Sequence, residues 1–263
     1  MIPLPSDLQQ LILLYLPINK LEQVCRTSSL TPCHNWHFWA LRAEADFDFP
    51  IAFFRSDYSR VPFDRYKFIK WYQNTPNRAL ADAAKDGQLE LVQYWISRGA
   101  TNFDDALRVA IAHGQLAVVQ YLIGLLKTVD LNRFLVMAAY YGQLQVFQYL
   151  VAQGANDFDR ALTGAVTGGQ LEMVQYLVNH YAVDLNEGLR TAARNGQQAV
   201  VEYLVGQGAT DLNAALVIAA KRGSLDIVKY LVDQGATDFE SALDAAQYNR
   251  YIAVAEYLQH VMQ

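Results

Sequence analysis

GQLELVQYW, residues 87–95, combines a glycine, a tyrosine and an apolar stripe of helical spacing within nine residues. The pattern returns as GQLAVVQYL from Gly114, GQLQVFQYL from Gly142, GQLEMVQYL from Gly169, GQQAVVEYL from Gly196 and GSLDIVKYL from Gly223, with RYIAVAEYL from Arg250 as a worn last copy. Successive starts lie 27, 28, 27, 27, 27 and 27 residues apart. A fixed period of this size marks an array of stacked units, so the period decides the fold class before any single motif does.

Each copy reads as two short helices. In the fourth, FDRALTGAVTG (158–168) places Phe158, Ala161, Leu162 and Ala165 on one small apolar face, and QLEMVQYLV (170–178) places Leu171, Val174, Leu177 and Val178 on another. Gly169 breaks the chain between them, and Gly154 ends the helix before. Asn102, Asp130, Asp157, Asp184, Asp211 and Asp238 each stand where a first helix begins and are expected to be its N-cap. Helices of about ten residues are marginal alone, so each pair must bury its stripe against the next. Seven copies at ~8–10 Å per helix give a rod about 60–70 Å long. The tyrosines at 94, 121, 149, 176, 203, 230 and 257 are then a structural ladder, each ring packed and each hydroxyl reaching solvent or a neighbouring carbonyl.

Bulk properties narrow the function classes. The 263 residues suffice for one or two domains, and 52% hydrophobic with 12% aromatic residues supplies a continuous core. A net charge of -5 weighs against nucleic acid or an anionic membrane as partner. The apolar run LILLYL (11–16) is too short to span a bilayer and has no basic leader before it. Cys25 and Cys33 give no disulfide framework, which suits the cytoplasm. With His34 and His37 they make one cluster, whereas zinc sites usually present two separated pairs of ligands, so neither a metal nor any other cofactor is expected. TGGQ (167–170) lacks the Gly-Lys-Ser/Thr of a phosphate loop. His113, His180 and His260 are scattered and have no companion nucleophile, so no catalytic residue is assigned and the protein is expected not to be an enzyme.

Three segments are expected: residues 1–46, a connector 47–76, and the array 77–263 with a terminal capping copy. The connector carries ten aromatic residues, unlike a flexible tether, and should fold down onto its neighbours. At the N-terminus Ser6 can cap a helix with the stripe Leu8, Leu11, Ile12 and Tyr15. Leu13 and Leu14 fall off that stripe, so the helix has a second apolar surface to cover. Pro17 stops it, and Asn19 with Glu22 suits a capping box for a second helix showing Leu21, Val24 and Cys25.

The array motif, complete in LVIAAKRGSLDIVKYLVDQGA (216–236), resembles the ankyrin repeat. The family's unit of about 33 residues is longer; here GATD runs straight into FESAL and no Thr-Pro-Leu-His turn occurs, so the family's β-hairpins should be missing or reduced. Leu126 and Tyr181 stand where other copies have a glycine after the second helix. Leu-Pro-x-Asp-Leu at 4–8, with Ile12, Leu16, Leu21, Val24-Cys25 and Phe38-Trp39, resembles the F-box, a three-helix module that docks on the Skp adaptor subunit of cullin-RING ubiquitin ligases. That resemblance implies that Leu4, Pro5, Leu8, Leu11, Ile12 and Leu16 supply the adaptor interface. The alternative is an N-terminal helical cap on the stack. The whole is thus expected to be all-α, an F-box-like three-helix module followed by an α/α solenoid of about seven short ankyrin-like pairs. Its order resembles that of proteins from large DNA viruses and intracellular bacteria that exploit host ubiquitin ligases, which implies a host cytoplasm or nucleus as its place of action.

For binding, the positions not spent on stacking matter most. In ankyrin arrays the inner surface includes the two residues before the central glycine, here Lys85-Asp86, Ala112-His113, Tyr140-Tyr141, Thr167-Gly168, Arg194-Asn195 and Lys221-Arg222. His113, Tyr140, Tyr141, Arg190, Arg194, Lys221 and Arg222 are therefore the expected contacts to a target protein, since arginine and aromatic side chains anchor interfaces. The target should offer an acidic segment beside an apolar one, and the chain by itself should be a monomer.

Overall fold

The computed structural model of the chain describes residues 41–42, 72, 75–126 and 129–263. The chain gathers into two compact units, Met1–Val109 and Ala110–Gln263. In the first, α1 (Pro76–Lys85) and α2 (Leu89–Ser97) form a pair, and α3 (Phe103–Ala112) begins there and runs into the second. The second unit continues with α4 (Leu116–Leu125), α5 (Leu131–Tyr140), α6 (Leu144–Ala152), α7 (Phe158–Thr167), α8 (Leu171–His180), α9 (Leu185–Asn195), α10 (Gln198–Gly206), α11 (Leu212–Arg222), α12 (Leu225–Asp233), α13 (Phe239–Tyr248) and α14 (Ile252–Val261). No strand occurs among the described residues, in line with a period too short for a hairpin. The six residues expected to dock an adaptor, Leu4, Pro5, Leu8, Leu11, Ile12 and Leu16, lie outside the described residues, as do the Cys25, Cys33, His34 and His37 cluster and nearly all of the connector. From that connector Tyr72 is buried at 2% exposure, its ring edge-on to Trp95 at 6.3 Å and its hydroxyl donating to the Asp82 carboxylate.

Within each unit the repeat chemistry builds the core. In the fourth copy Ala161, Leu162 and Ala165 of α7 and Val174 and Leu177 of α8 are buried as their spacing predicts. The stripe of α8 differs at its edges: Met173 is buried, whereas Leu171 and Val178 are half-covered, because the seam of α8 centres on Met173, Val174 and Leu177. Each leucine or valine fully removed from water contributes about 1.5–3 kcal/mol. Gly169 (φ 72°) and Gly154 (φ 103°) take the left-handed backbone expected of them. After α4 and α8, where Leu126 and Tyr181 replace glycine, the chain leaves extended instead, with ψ of 120° and 152°. Tyr181 then stacks on Phe158 at 3.9 Å, an aromatic contact in place of a turn.

The N-cap expectation holds for five of six positions. Asp130, Asp157, Asp184 and Asp238 accept from backbone N–H groups of the first turn, and Asn102 accepts from Asp105 N at 3.4 Å. Asp211 makes no cap, because its carboxylate is taken by Arg190 of the preceding first helix.

A second set of polar side chains joins copy to copy. Asn132 Oδ1 accepts from Asn156 N and Asp157 N at 2.8 and 3.2 Å, Asn186 Oδ1 from Thr210 N and Asp211 N at 2.8 and 3.0 Å, and Asn213 Oδ1 from Thr237 N and Asp238 N at 2.7 and 3.1 Å. In the first unit Asn77 Oδ1 does the same for Thr101 N and Asn102 N at 2.7 and 3.0 Å. At the fourth copy a carboxylate replaces the amide, and Asp159 accepts from Asp184 N at 2.7 Å. One acceptor thus fixes the loop that leads into the next first helix, where two N–H groups would otherwise have only water.

Candidate functional site

The exposed surface of the second unit is organised by what the first helices bury. Ala138-Ala139, Ala192-Ala193 and Ala219-Ala220 are wholly buried, and their small side chains let neighbouring first helices come close. A helix advances about 100° per residue, so the position after each alanine pair turns out to solvent. That position is Tyr140 on α5, Arg194 on α9 and Lys221 on α11, and one period on either side of Arg194 and Lys221 the same place is held by Thr167 on α7, after Ala165-Val166, and by Tyr248 on α13, after Ala246-Gln247; all five are exposed. Tyr141, Gly168, Asn195, Arg222 and Asn249 follow them.

Two contacts show that this is one continuous row. A side chain on Gly168 would lie 1.9 Å from the Tyr140 carbonyl oxygen, so only glycine lets the end of α7 pass so near to α5. Arg222 Nε donates to the Arg194 carbonyl at 3.0 Å, tying the end of α11 to the end of α9. Both tyrosines of the third copy stand out of the surface, Tyr140 at 41% and Tyr141 at 43% exposure, their rings edge-on at 4.9 Å. His113 is exposed at the end of α3.

Besides His113, the expected contact residues fall into two groups. Tyr140, Tyr141, Arg194, Lys221 and Arg222 lie together along the row. Arg190 lies one turn before Arg194 and is engaged within the protein: its Nη2 meets Glu187 at 2.8 Å, its Nε meets the same carboxylate at 3.1 Å, and its Nη1 meets Asp211. The hydrogen bonds it donates to Glu187 and then to Asp211 hold its pKa above the usual arginine value. The two carboxylates more than neutralise that guanidinium, leaving one net negative charge beside the row, whose positive charge rests on its three neighbours. Arg194, Lys221 and Arg222 form no ion pair among the described residues.

On the opposite helices the tyrosine ladder is packed and polar contacts are sparse. Tyr203 Oη donates to Asn179 Oδ1 and Tyr230 Oη to the Glu202 carbonyl, both at 3.5 Å, while Gln148 Nε2 donates to Tyr176 Oη at 3.3 Å. Burial, and secondarily the nearby Glu202 and Asp233 charges, push the phenols of Tyr230 and Tyr257 above their ordinary value. These rings hold copies together, and Tyr176 also stacks on His180 at 4.3 Å and meets Tyr181 edge-on at 6.1 Å. Among the described residues no three His, Cys, Asp or Glu side chains converge as metal ligands, and no helix is long and apolar enough to cross a membrane.

Family models fit this architecture. The model for ankyrin repeats in three copies matches residues 107–188, 135–214 and 189–262, and that for ankyrin repeats in many copies matches residues 80–123. The chain belongs to the ankyrin-repeat family. No curated protein matches it. Ankyrin arrays point to a protein-binding scaffold.

Two features of the ankyrin array escape the pairwise reading of its sequence. Tyr248 belongs to the row, 89% exposed, but the turn glycine that marks its copy is replaced by Arg250, so counting back from glycines stops one copy short. The asparagine clamps are announced by a triplet, Asp-Leu-Asn, at 130–132, 184–186 and 211–213, in which the first residue suggests a cap and the third reaches to the next copy. The terminal pair also presents a groove of about 430 Å³ between α13 and α14, lined by Ala246, Arg250, Tyr251 and Ile252 among others. Ile252 there is 69% exposed, more than its equivalents Leu171 and Leu225, which are half-covered, and Leu144, at 39%.

Proposed function

We propose that this ankyrin array is a non-catalytic receptor for a target protein, held along the row of first-helix ends. The observation that supports the reading most is the exposure of Tyr140, Tyr141 and Tyr248 on the same row as Arg194, Lys221 and Arg222. Aromatic and arginine side chains dominate binding energies at interfaces, and of these six only Arg222 is used in joining one copy to the next, through its bond to the Arg194 carbonyl. His113 extends the contact surface at one end, and Arg190 supports it from behind as the anchor of α9 to Asp211. No nucleic acid, membrane or cofactor enters the reading. Proximity labelling in cells, comparing the wild-type chain with the Tyr140→Ala/Tyr141→Ala/Tyr248→Ala variant, tests it. A set of labelled proteins that disappears with the variant is the expected result; an unchanged set contradicts it.

A second layer rests on the sequence of the N-terminal segment. Residues 1–46 resemble an F-box, with 47–76 as a packed connector and 77–263 as the array, an order suited to a substrate receptor of a cullin-RING ubiquitin ligase. In that reading Leu4, Pro5, Leu8, Leu11, Ile12 and Leu16 meet the Skp adaptor subunit, and the array brings its target to the ubiquitin donor by raising local concentration. The place of action is then the cytoplasm or nucleus of a cell with such a ligase. Co-purification with the Skp subunit, abolished by Leu8→Asp with Ile12→Asp, is the expected outcome. Failure of the wild-type chain to bind leaves a scaffold or decoy that only captures its target.

A further inference from the structure

Resting on the row as target surface, we infer that its preferred occupant is an extended protein segment of about ten residues, acidic in its middle and apolar at its ends. The geometry supplies the order. Along the second unit the exposed row reads Tyr140 and Tyr141 on α5, small residues Thr167 and Gly168 on α7, Arg194 on α9, Lys221 and Arg222 on α11, and Tyr248 on α13. Cations therefore sit between two aromatic stations. Four helix-to-helix steps of ~8–10 Å separate the outer stations, which an extended chain covers in about 10–12 residues at ~3.3 Å each.

The cations carry charge beyond what their own helices consume. The C-terminus of a helix bears about half a negative charge, so the ends of α9 and α11 offset about one of the three positive charges. The acidic residues near them offset about one more. Glu187 and Asp211 share the single guanidinium of Arg190 and keep one net negative charge between them, whereas no ion pair joins Arg222 to Asp226 at the start of α12 or Lys221 to Asp244 on α13, which leaves about one positive charge uncompensated. Screening over about 8 Å keeps the patch distinct from the net charge of the chain as a whole. That overall charge of -5 is what a long nucleic acid would meet around the patch, whereas a short acidic peptide meets chiefly the three cations.

The test uses the full-length chain and three labelled probes in fluorescence anisotropy: a twelve-residue peptide with leucines at both ends and four central glutamates, the same peptide with glutamines, and a twelve-nucleotide oligothymidine. The wild-type chain should bind the glutamate peptide about tenfold more tightly than the glutamine peptide, as three solvent-exposed charge pairs allow. The R194E/K221E/R222E variant should reverse that order, and circular dichroism should show it folded, since all three side chains are exposed. Equal binding of the two peptides, no binding of either, or tighter binding of the oligonucleotide overturns the acidic preference. The wider reading of the row fails separately: Tyr140→Ala with Tyr141→Ala should weaken both peptides alike. If those tyrosine changes matter while charge reversal does not, the surface binds and only the inferred chemistry is wrong.

Discussion

Arg190 on α9 holds Asp211, the residue that opens α11, and so withdraws from that helix the carboxylate that caps its equivalents. Asp184 shows what the residue does when left alone, accepting from Asn186 N and Glu187 N at 2.9 and 3.0 Å. Freed by Arg190→Met, Asp211 should turn back onto α11 as a cap. In that background Asp211→Ala then removes a cap and lowers stability by about 1 kcal/mol. A double-mutant cycle by urea denaturation checks this, and an Asp211→Ala change without effect in the Arg190→Met chain contradicts it.

Asn186 is the acceptor for two backbone N–H groups of the next copy, so Asn186→Ala strands both. The expected cost is about 1–2 kcal/mol in urea denaturation, since each lost hydrogen bond nets roughly 0.5–1.5 kcal/mol and the site is partly open to water. Asn186→Asp should be tolerated, because Asp159 performs the same task for Asp184 N.

Arg250 carries the left-handed backbone of the turn, φ 63°, with a side chain that disfavours it. Every other turn with this conformation among the described residues uses glycine. Arg250→Gly should therefore raise stability by about 1 kcal/mol. The mirror change at Gly223, φ 76°, should be costly twice over, since Gly223→Ala also drives a methyl to within 2.4 Å of the Tyr251 ring. Thermal melts of the two variants should move in opposite directions.

The pH dependence of the first unit follows from Tyr72. Burial, then the hydrogen bond to Asp82, push its phenol from 10.0 up to about 12. A group that holds its proton more tightly when folded contributes stability fully present below the unfolded pKa and lost as pH rises through the folded one. Stability of wild type should fall between about pH 10 and pH 12, and Tyr72→Phe should flatten that fall. Urea midpoints at pH 9, 10, 11 and 12 report it; identical slopes for the two chains contradict it.

The array was legible because stacking forces identical residues into identical places. Leu162, Val174 and Leu177 announce their burial by spacing alone, and glycine announces each turn at Gly169 and its equivalents. What the sequence hid is competition between neighbours. Nothing local to Asp211 says that its carboxylate is claimed by Arg190, 21 residues earlier, nor that Arg190 is thereby drawn out of the cationic row. Met173 was hidden for a related reason: which edge of an apolar stripe is buried depends on the facing helix, and periodicity fixes only the stripe's direction to within a residue. Tyr248 was missed because the marker used to find its row, the turn glycine, is absent from the last copy.

The first-helix row, and not the outer face of the second helices, is the surface proposed to meet the target. A photo-crosslinking amino acid placed at Tyr141 on the row, and in a second chain at Glu202 on α10, measures this directly in a cell that hosts the protein. Both positions are exposed, so both chains should fold alike. Discrete crosslinked partners from position 141, with none of the same partners from position 202, are expected; the same partners from 202, with none from 141, would move the target to the second helices and overturn the proposal.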